Sequence, residues 1–169
     1  MDTMAEDALI DRVRQHAGPA LPPPVTAGQL AAAEAEIGYP LPSLFARLYR
    51  EVGDGGYGPD RFPLWPLRRV AAGGPGRPYG VLEFLDWGCG MTGAVDCLHP
   101  DAPVLLVLPD DETHPIRADS PSLARWLADW LDGRAWWEEE VMAANEGEML
   151  PPWPDAAARF SAQPPCPER

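Results

Sequence analysis

At 169 residues and 46% apolar side chains, the chain has the size and composition of one domain that buries a sizeable core. Its formal net charge of −13, carried without a lysine, argues against binding nucleic-acid phosphates or an anionic membrane surface. No apolar run reaches the ~18–20 residues that span a bilayer. The start of the chain has neither the basic residues nor the apolar core of an export signal, so a cytoplasmic location is expected.

In chain order, Thr3 and Glu6 make a capping-box pattern for a first helix running to about His16. Its apolar stripe of Leu9, Ile10 and Val13 is narrow, which predicts an added helix, residues 1–18, on the outside of the fold. Pro19, Pro22, Pro23 and Pro24 then form a stiff connector that no helix can cross. Thr26 and Gln29 cap a second helix with Leu30, Ala33 and Ile37 turned inward, and Gly38 closes it. Leu41, Leu44, Phe45, Leu48, Tyr49 and Val52 recur at three- and four-residue spacing and predict a third helix, with Pro42 in its first turn. The corner between these two helices is short enough to predict a helical hairpin. Gly53, Gly55 and Gly56 stop the third helix, with positive φ expected at Gly53 and at one of the other two.

The second half reads as strands with a helical cover. Pro63 and Pro66 limit "RFPLWPL" to an edge strand or an extended segment, and residues 71–80 read as a flexible loop. Residues 81–87 alternate Val81, Glu83, Leu85 and Trp87 with Leu82, Phe84 and Asp86; both faces are mainly apolar, which predicts a central strand. Gly88, Gly90 and Gly93 clear one face of the strand that runs to Cys97, for a close backbone approach, a bulge or a bound partner. Residues 102–108 form the clearest strand, with a short return around Ile116, and such short connections require mostly antiparallel pairing. Ser120 and Pro121 open a helix whose Leu123, Trp126, Leu127, Trp130 and Leu131 share one face. A further helix follows, with Trp136, Trp137 and Met142 available for packing. From Pro151 the chain becomes a proline-rich tail, with weak order expected after about Phe160.

The predicted fold is therefore α+β: an N-terminal helical hairpin, an antiparallel or mixed sheet of about four to six strands, and covering C-terminal helices. One domain spans 1–150, with its core in 25–133, and 151–169 is the tail.

A helix ending "EAEIGYPLP", an aromatic helix, and a glycine turn "VGDGGYGP" leading to "LWPL" resemble the SUKH superfamily. "LDWGCGMTGAVDC" at 85–97 and "SPSLARWLADWLDG" at 120–133 continue the resemblance in order. The group includes a yeast cell-wall regulator and many bacterial immunity proteins. The resemblance implies a non-catalytic protein-binding domain, most specifically an immunity protein that occludes a toxin such as a nuclease. The competing reading is a SUKH-like adaptor or regulatory domain with no toxin partner.

Side-chain chemistry points the same way. His16, His99 and His114 are far apart and in no metal-ligand spacing, and Cys89, Cys97 and Cys166 form neither a zinc pattern nor a CxxC pair. Cys89 and Cys97 are read as buried free thiols in preference to a cross-strand bridge. "GDGGYG" lacks the lysine and hydroxyl of a phosphate loop and follows a helix rather than a strand. No serine sits in a nucleophile elbow. No catalytic residue, cofactor or metal is assigned, and nothing in the sequence sets an oligomeric state.

Charge is unevenly spread. Residues 1–85 hold 10 acids and 8 arginines, net −2, while residues 86–169 hold 16 acids and 5 arginines, net −11. Such a field steers a basic protein partner, such as a basic toxin domain, or serves solubility alone. The candidate partner-binding residues are the rim acids Asp110, Asp111 and Glu112 and the aromatic anchors Trp65 and Trp87. Gly55, Gly56 and Tyr57 in the glycine turn are the alternative contact. Trp126 and Trp130 are spaced as core residues. Trp65, Trp87, Trp136, Trp137 and Trp153 could not all be buried easily in a domain this size, so each of these five is either core or a partner anchor.

Overall fold

The computed structural model describes residues 3–59, 62–73, 77–145, 148 and 150–162. It is an α+β fold in which helices cover one face of a four-stranded antiparallel sheet of order β1-β2-β3-β4. Helix α1 (Thr3–Ala17) is no outlying addition: Ile10 and Val13 are 1% and 0% exposed, and the helix packs on α5 (Leu123–Leu131). A narrow stripe suffices because only one side of α1 meets the fold. Helix α2 (Ala27–Ile37) has the expected reciprocal cap between Thr26 and Gln29. Its main neighbour is α4 (Leu67–Ala72), while α3 (Ser43–Arg47) lies against α5.

Helix α3 continues as a π turn, Leu48–Val52. The wider turn brings Leu48, Tyr49 and Val52 into the core together, and the Tyr49 hydroxyl donates to the Trp65 carbonyl at 2.9 Å. Burial raises the Tyr49 pKa, so the phenol stays a neutral donor. Gly53 is extended, at φ 174, rather than left-handed; the reversal is made at Gly55 and Gly56, at φ 73 and 82. Helix α4 falls where a loop and part of an extended segment were expected. Its first N–H, on Leu67, donates to the Asp54 carboxylate at 2.7 Å, so the group that anchors it lies thirteen residues upstream. Local sequence gives no sign of that cap.

Strand β1 (Val81–Gly88) is an edge strand rather than a central one. Its free side receives Trp65 N–H at the Phe84 carbonyl, 2.7 Å, from an extended segment that the prolines keep out of the sheet. A bulge between Glu83 and Leu85 shifts the alternation, so Leu82, Phe84, Leu85 and Trp87 all enter the helix-side core. That is why both faces of this stretch look apolar. In β2 (Met91–Asp96), Gly93 leaves room for the β1 side chains: a Cβ there would sit 2.9 Å from Leu85 Cγ. The cleared face serves packing.

Strands β3 (Val104–Val107) and β4 (Ile116–Ser120) complete the sheet. Helix α5 is capped by Ser122, whose hydroxyl accepts from Arg125 N–H at 3.1 Å, not by Ser120 with Pro121 inside the first turn. Helix α6 (Glu139–Ala144) buries no residue, and Met142 is exposed. The other face of the sheet carries Val81, Ala94, Leu105 and Ile116, which Trp153 covers from the C-terminal segment. That segment pairs at Pro152 with Arg117 and ends in α7 (Ala156–Ser161). Residues 150–161 are thus part of the fold, not a trailing tail; Cys166 lies outside the described residues. No helix among the described residues is long and apolar enough to cross a membrane.

Candidate functional site

The β1–β2 and β3–β4 turns meet at one end of the sheet and enclose a groove of about 690 Å³ lined by Cys89, Met91, Leu108, Pro109, Asp110, Asp111 and Glu112. Both turns are set by local chemistry. Gly88 pairs with Met91 across a two-residue loop, Cys89–Gly90, in which both residues have positive φ, the turn twist that suits a hairpin. The β3–β4 loop is organised by Asp111. Its Oδ1 accepts from Thr113 N–H at 3.1 Å and His114 N–H at 2.9 Å, and its Oδ2 from Arg117 Nη2 at 2.6 Å. The His114 amide, then Arg117, hold its carboxyl below the usual range. Asp110 and Glu112 on either side point to solvent.

The three rim acids therefore come together, but in two roles. Asp110 and Glu112 are exposed, whereas Asp111 is tied up in building the turn. Met91, Leu108 and Pro109 supply an apolar floor that the rim acids did not by themselves announce. Cys89 is exposed and Cys97 half-buried, both free thiols, so the expectation of burial fails at Cys89. Cys89 sits at the hairpin tip, exposed on the wall of the groove.

The other sequence candidates lie elsewhere. Trp87 is a core residue, 8% exposed, with its ring centroid 4.7 Å from Trp137, 5.2 Å from Phe62 and 5.8 Å from Trp136. It cannot anchor a partner. Trp126 joins the same stack through Trp137 at 5.3 Å, and Trp153 is buried on the opposite face. Indoles packed on one another explain how a small domain shelters so many. Trp65 is half-buried, with the Arg69 guanidinium 3.7 Å over its ring. In the glycine turn, Gly55 is buried against the backbone of Leu64 and Trp65, where a Cβ would meet Leu64 O at 2.6 Å. Gly56 is exposed, but its N–H donates to the same carbonyl at 2.9 Å. Tyr57 is 4% exposed, and burial raises its pKa. This turn is a structural joint.

One functional candidate escaped the sequence reading. Asp119 is sheltered between β4 and α5, its Oδ2 accepting from Trp126 Nε1 at 3.1 Å. Burial pushes its pKa up to about 7. The only sequence signal was an acid seven residues before a tryptophan, which is too common to single out. Among the described residues no cluster of three His, Cys, Asp or Glu side chains is placed to hold a metal ion.

No family model and no curated protein matches the chain.

Proposed function

We propose that the protein is a non-catalytic binding module for a basic protein partner, with the sheet-end groove as its contact surface. The observation that carries this reading is the pairing of an apolar floor, Met91, Leu108 and Pro109, with the exposed carboxylates of Asp110 and Glu112. Apolar centre with polar rim is the usual anatomy of a protein interface. The net −11 of the second half extends the field around it. Among the described residues that line the groove no histidine stands beside the Cys89 thiol. The resemblance to SUKH proteins makes the specific form of the proposal an immunity protein that occludes a bacterial toxin domain, such as a nuclease.

The test is surface plasmon resonance against a basic toxin domain encoded beside this gene. Association should slow as salt rises, since screening shortens the field to about 8 Å at physiological ionic strength. Asp110→Asn with Glu112→Gln should slow association, and Met91→Ala should speed dissociation. Tight binding indifferent to salt, to both acids and to Met91 would place the contact elsewhere. No binding to such a domain would leave the adaptor reading in its stead.

A further inference from the structure

A second concavity, about 370 Å³, opens between the end of β4, helix α5 and the turn that follows it. Its walls are the indoles of Trp126, Trp136 and Trp137, and its acids are Asp119 and Asp129. Two arginines stand at its mouth, both largely exposed: Arg125 Nε lies 2.5 Å from Asp129 Oδ2, and Arg134 Nε lies 3.6 Å from Asp129 Oδ1. Arg134 also binds Asp132, at 2.7 Å. Both arginines are thus committed to Asp129 and Asp132. Asp119, deeper in, has no cation: among the described residues its one hydrogen bond comes from the Trp126 indole. The Trp136 Nε1 is buried without a bonded acceptor, although it stands close enough to the carboxyl to favour its ionised form.

The geometry points to a binding site for a guanidinium group, laid flat against the indoles with Asp119 as its counter-ion. Three features select this chemistry. Indole faces attract cations, and a planar guanidinium stacks on them where a compact ammonium does not. An aspartate with no cation of its own is the natural second partner, since a carboxylate takes a guanidinium as a forked pair. Once ionised, that carboxylate also has lone pairs for both indole N–H groups, so the unpaired Trp136 donor gains an acceptor. The charged groups that line the concavity with Asp119 are Arg125 and Asp129 from α5 and Arg134 from the following turn; of these Asp129 bears on its carboxyl, disfavouring the charge, and among the described residues no histidine lines the site. The Asp119 proton, held at neutral pH by burial, is the species a guanidinium displaces. A free small molecule and an arginine side chain of a protein partner carry the same group.

The experiment titrates the full chain with N-acetylarginine amide and with two peptides of equal positive charge, one built on arginine and one on lysine. Tryptophan fluorescence reports binding, because three indoles line the site. Saturable binding of the amide means that the guanidinium alone is enough; saturation by the arginine peptide only means that a protein must present it. In either case Asp119→Asn and Trp136→Phe should each weaken affinity by about tenfold or more. Affinity should also rise with pH up to about 7 and level off above it. The Asp110→Asn/Glu112→Gln variant should leave this binding unchanged, which separates the site from the groove. The inference is overturned if neither arginine ligand saturates, if the two peptides bind equally well, or if both variants bind as tightly as the parent.

Discussion

Two aspartates on the same sheet are handled in opposite ways. Asp96, at the end of β2, is 0% exposed and accepts from Arg159 Nη2 at 2.7 Å and from Leu98 N–H at 3.0 Å. Arg159 arrives from α7, sixty-three residues on, and its guanidinium also reaches the Tyr79 carbonyl and lies 5.7 Å from the Trp153 ring. Asp119, on β4, is given indoles and, among the described residues, no ion pair. A carboxylate out of water is stable as an ion only when something replaces the water. On the Asp96 side the chain brings its own arginine and closes the surface. On the Asp119 side it leaves the charge to a proton, and leaves the space open.

The sharpest way to break the comparison is Arg159→Ala. It strands Asp96 under the C-terminal segment, and loss of one member of a buried pair costs about 3–5 kcal/mol. Denaturant melts should show the loss, and adding Asp96→Asn should recover much of it. A loss no larger than that of an ordinary surface change would mean that Trp153 alone holds the segment down.

The converse change is Asp119→Asn. The folded carboxyl holds its proton up to about pH 7, while the unfolded one, near 3.8, releases it far earlier. The folded state therefore binds more protons between these values, so stability falls as pH rises from about 4 to 7 and is flat beyond. Asparagine does not titrate and still accepts the Trp126 bond. The variant should be more stable than the parent at pH 8 by about 1–3 kcal/mol, with the gain gone near pH 4. A parent melt with no such slope would remove the contrast between the two acids.

The smallest effects belong to the rim. Asp111 has a depressed pKa, so its contribution is present above the ordinary carboxylate range and is lost as pH falls through its folded value, the reverse of Asp119. Asp111→Asn should lower the melting temperature at pH 7 and not at pH 2. Asp110→Asn and Glu112→Gln, whose side chains are exposed, should leave it unchanged at either pH.

What the sequence disclosed follows from where each determinant lies. The Thr26–Gln29 cap, the β3 strand and the α5 stripe have determinants within a few residues of one another, and all were readable. Helix α4 was not, because its cap, Asp54, comes from another part of the chain. The edge position of β1 was hidden by a bulge that brings residues from both registers to one core. At the groove, the acids at 110–112 were visible as a charged turn, but Met91 and Cys89 join them only through strand pairing. Trp87 misled because an indole's burial depends on neighbours such as Trp137, fifty residues away. Asp119 was invisible for the same reason: what sets its protonation is the shelter of β4 and α5, not its sequence neighbours.

The dependence of Asp96 on Arg159 also bears on how the molecule is made. Synthesis proceeds from the N-terminus, and all four strands leave the ribosome before the residues that seal their second face. Until Arg159 and Trp153 emerge, the nascent sheet shows Val81, Ala94, Leu105 and Ile116 to its surroundings, with Asp96 solvated beside them. The segment carrying Trp153 and Arg159 thus acts as a closing step, and a ribosome stalled just short of it holds a chain with one finished face and one adhesive one.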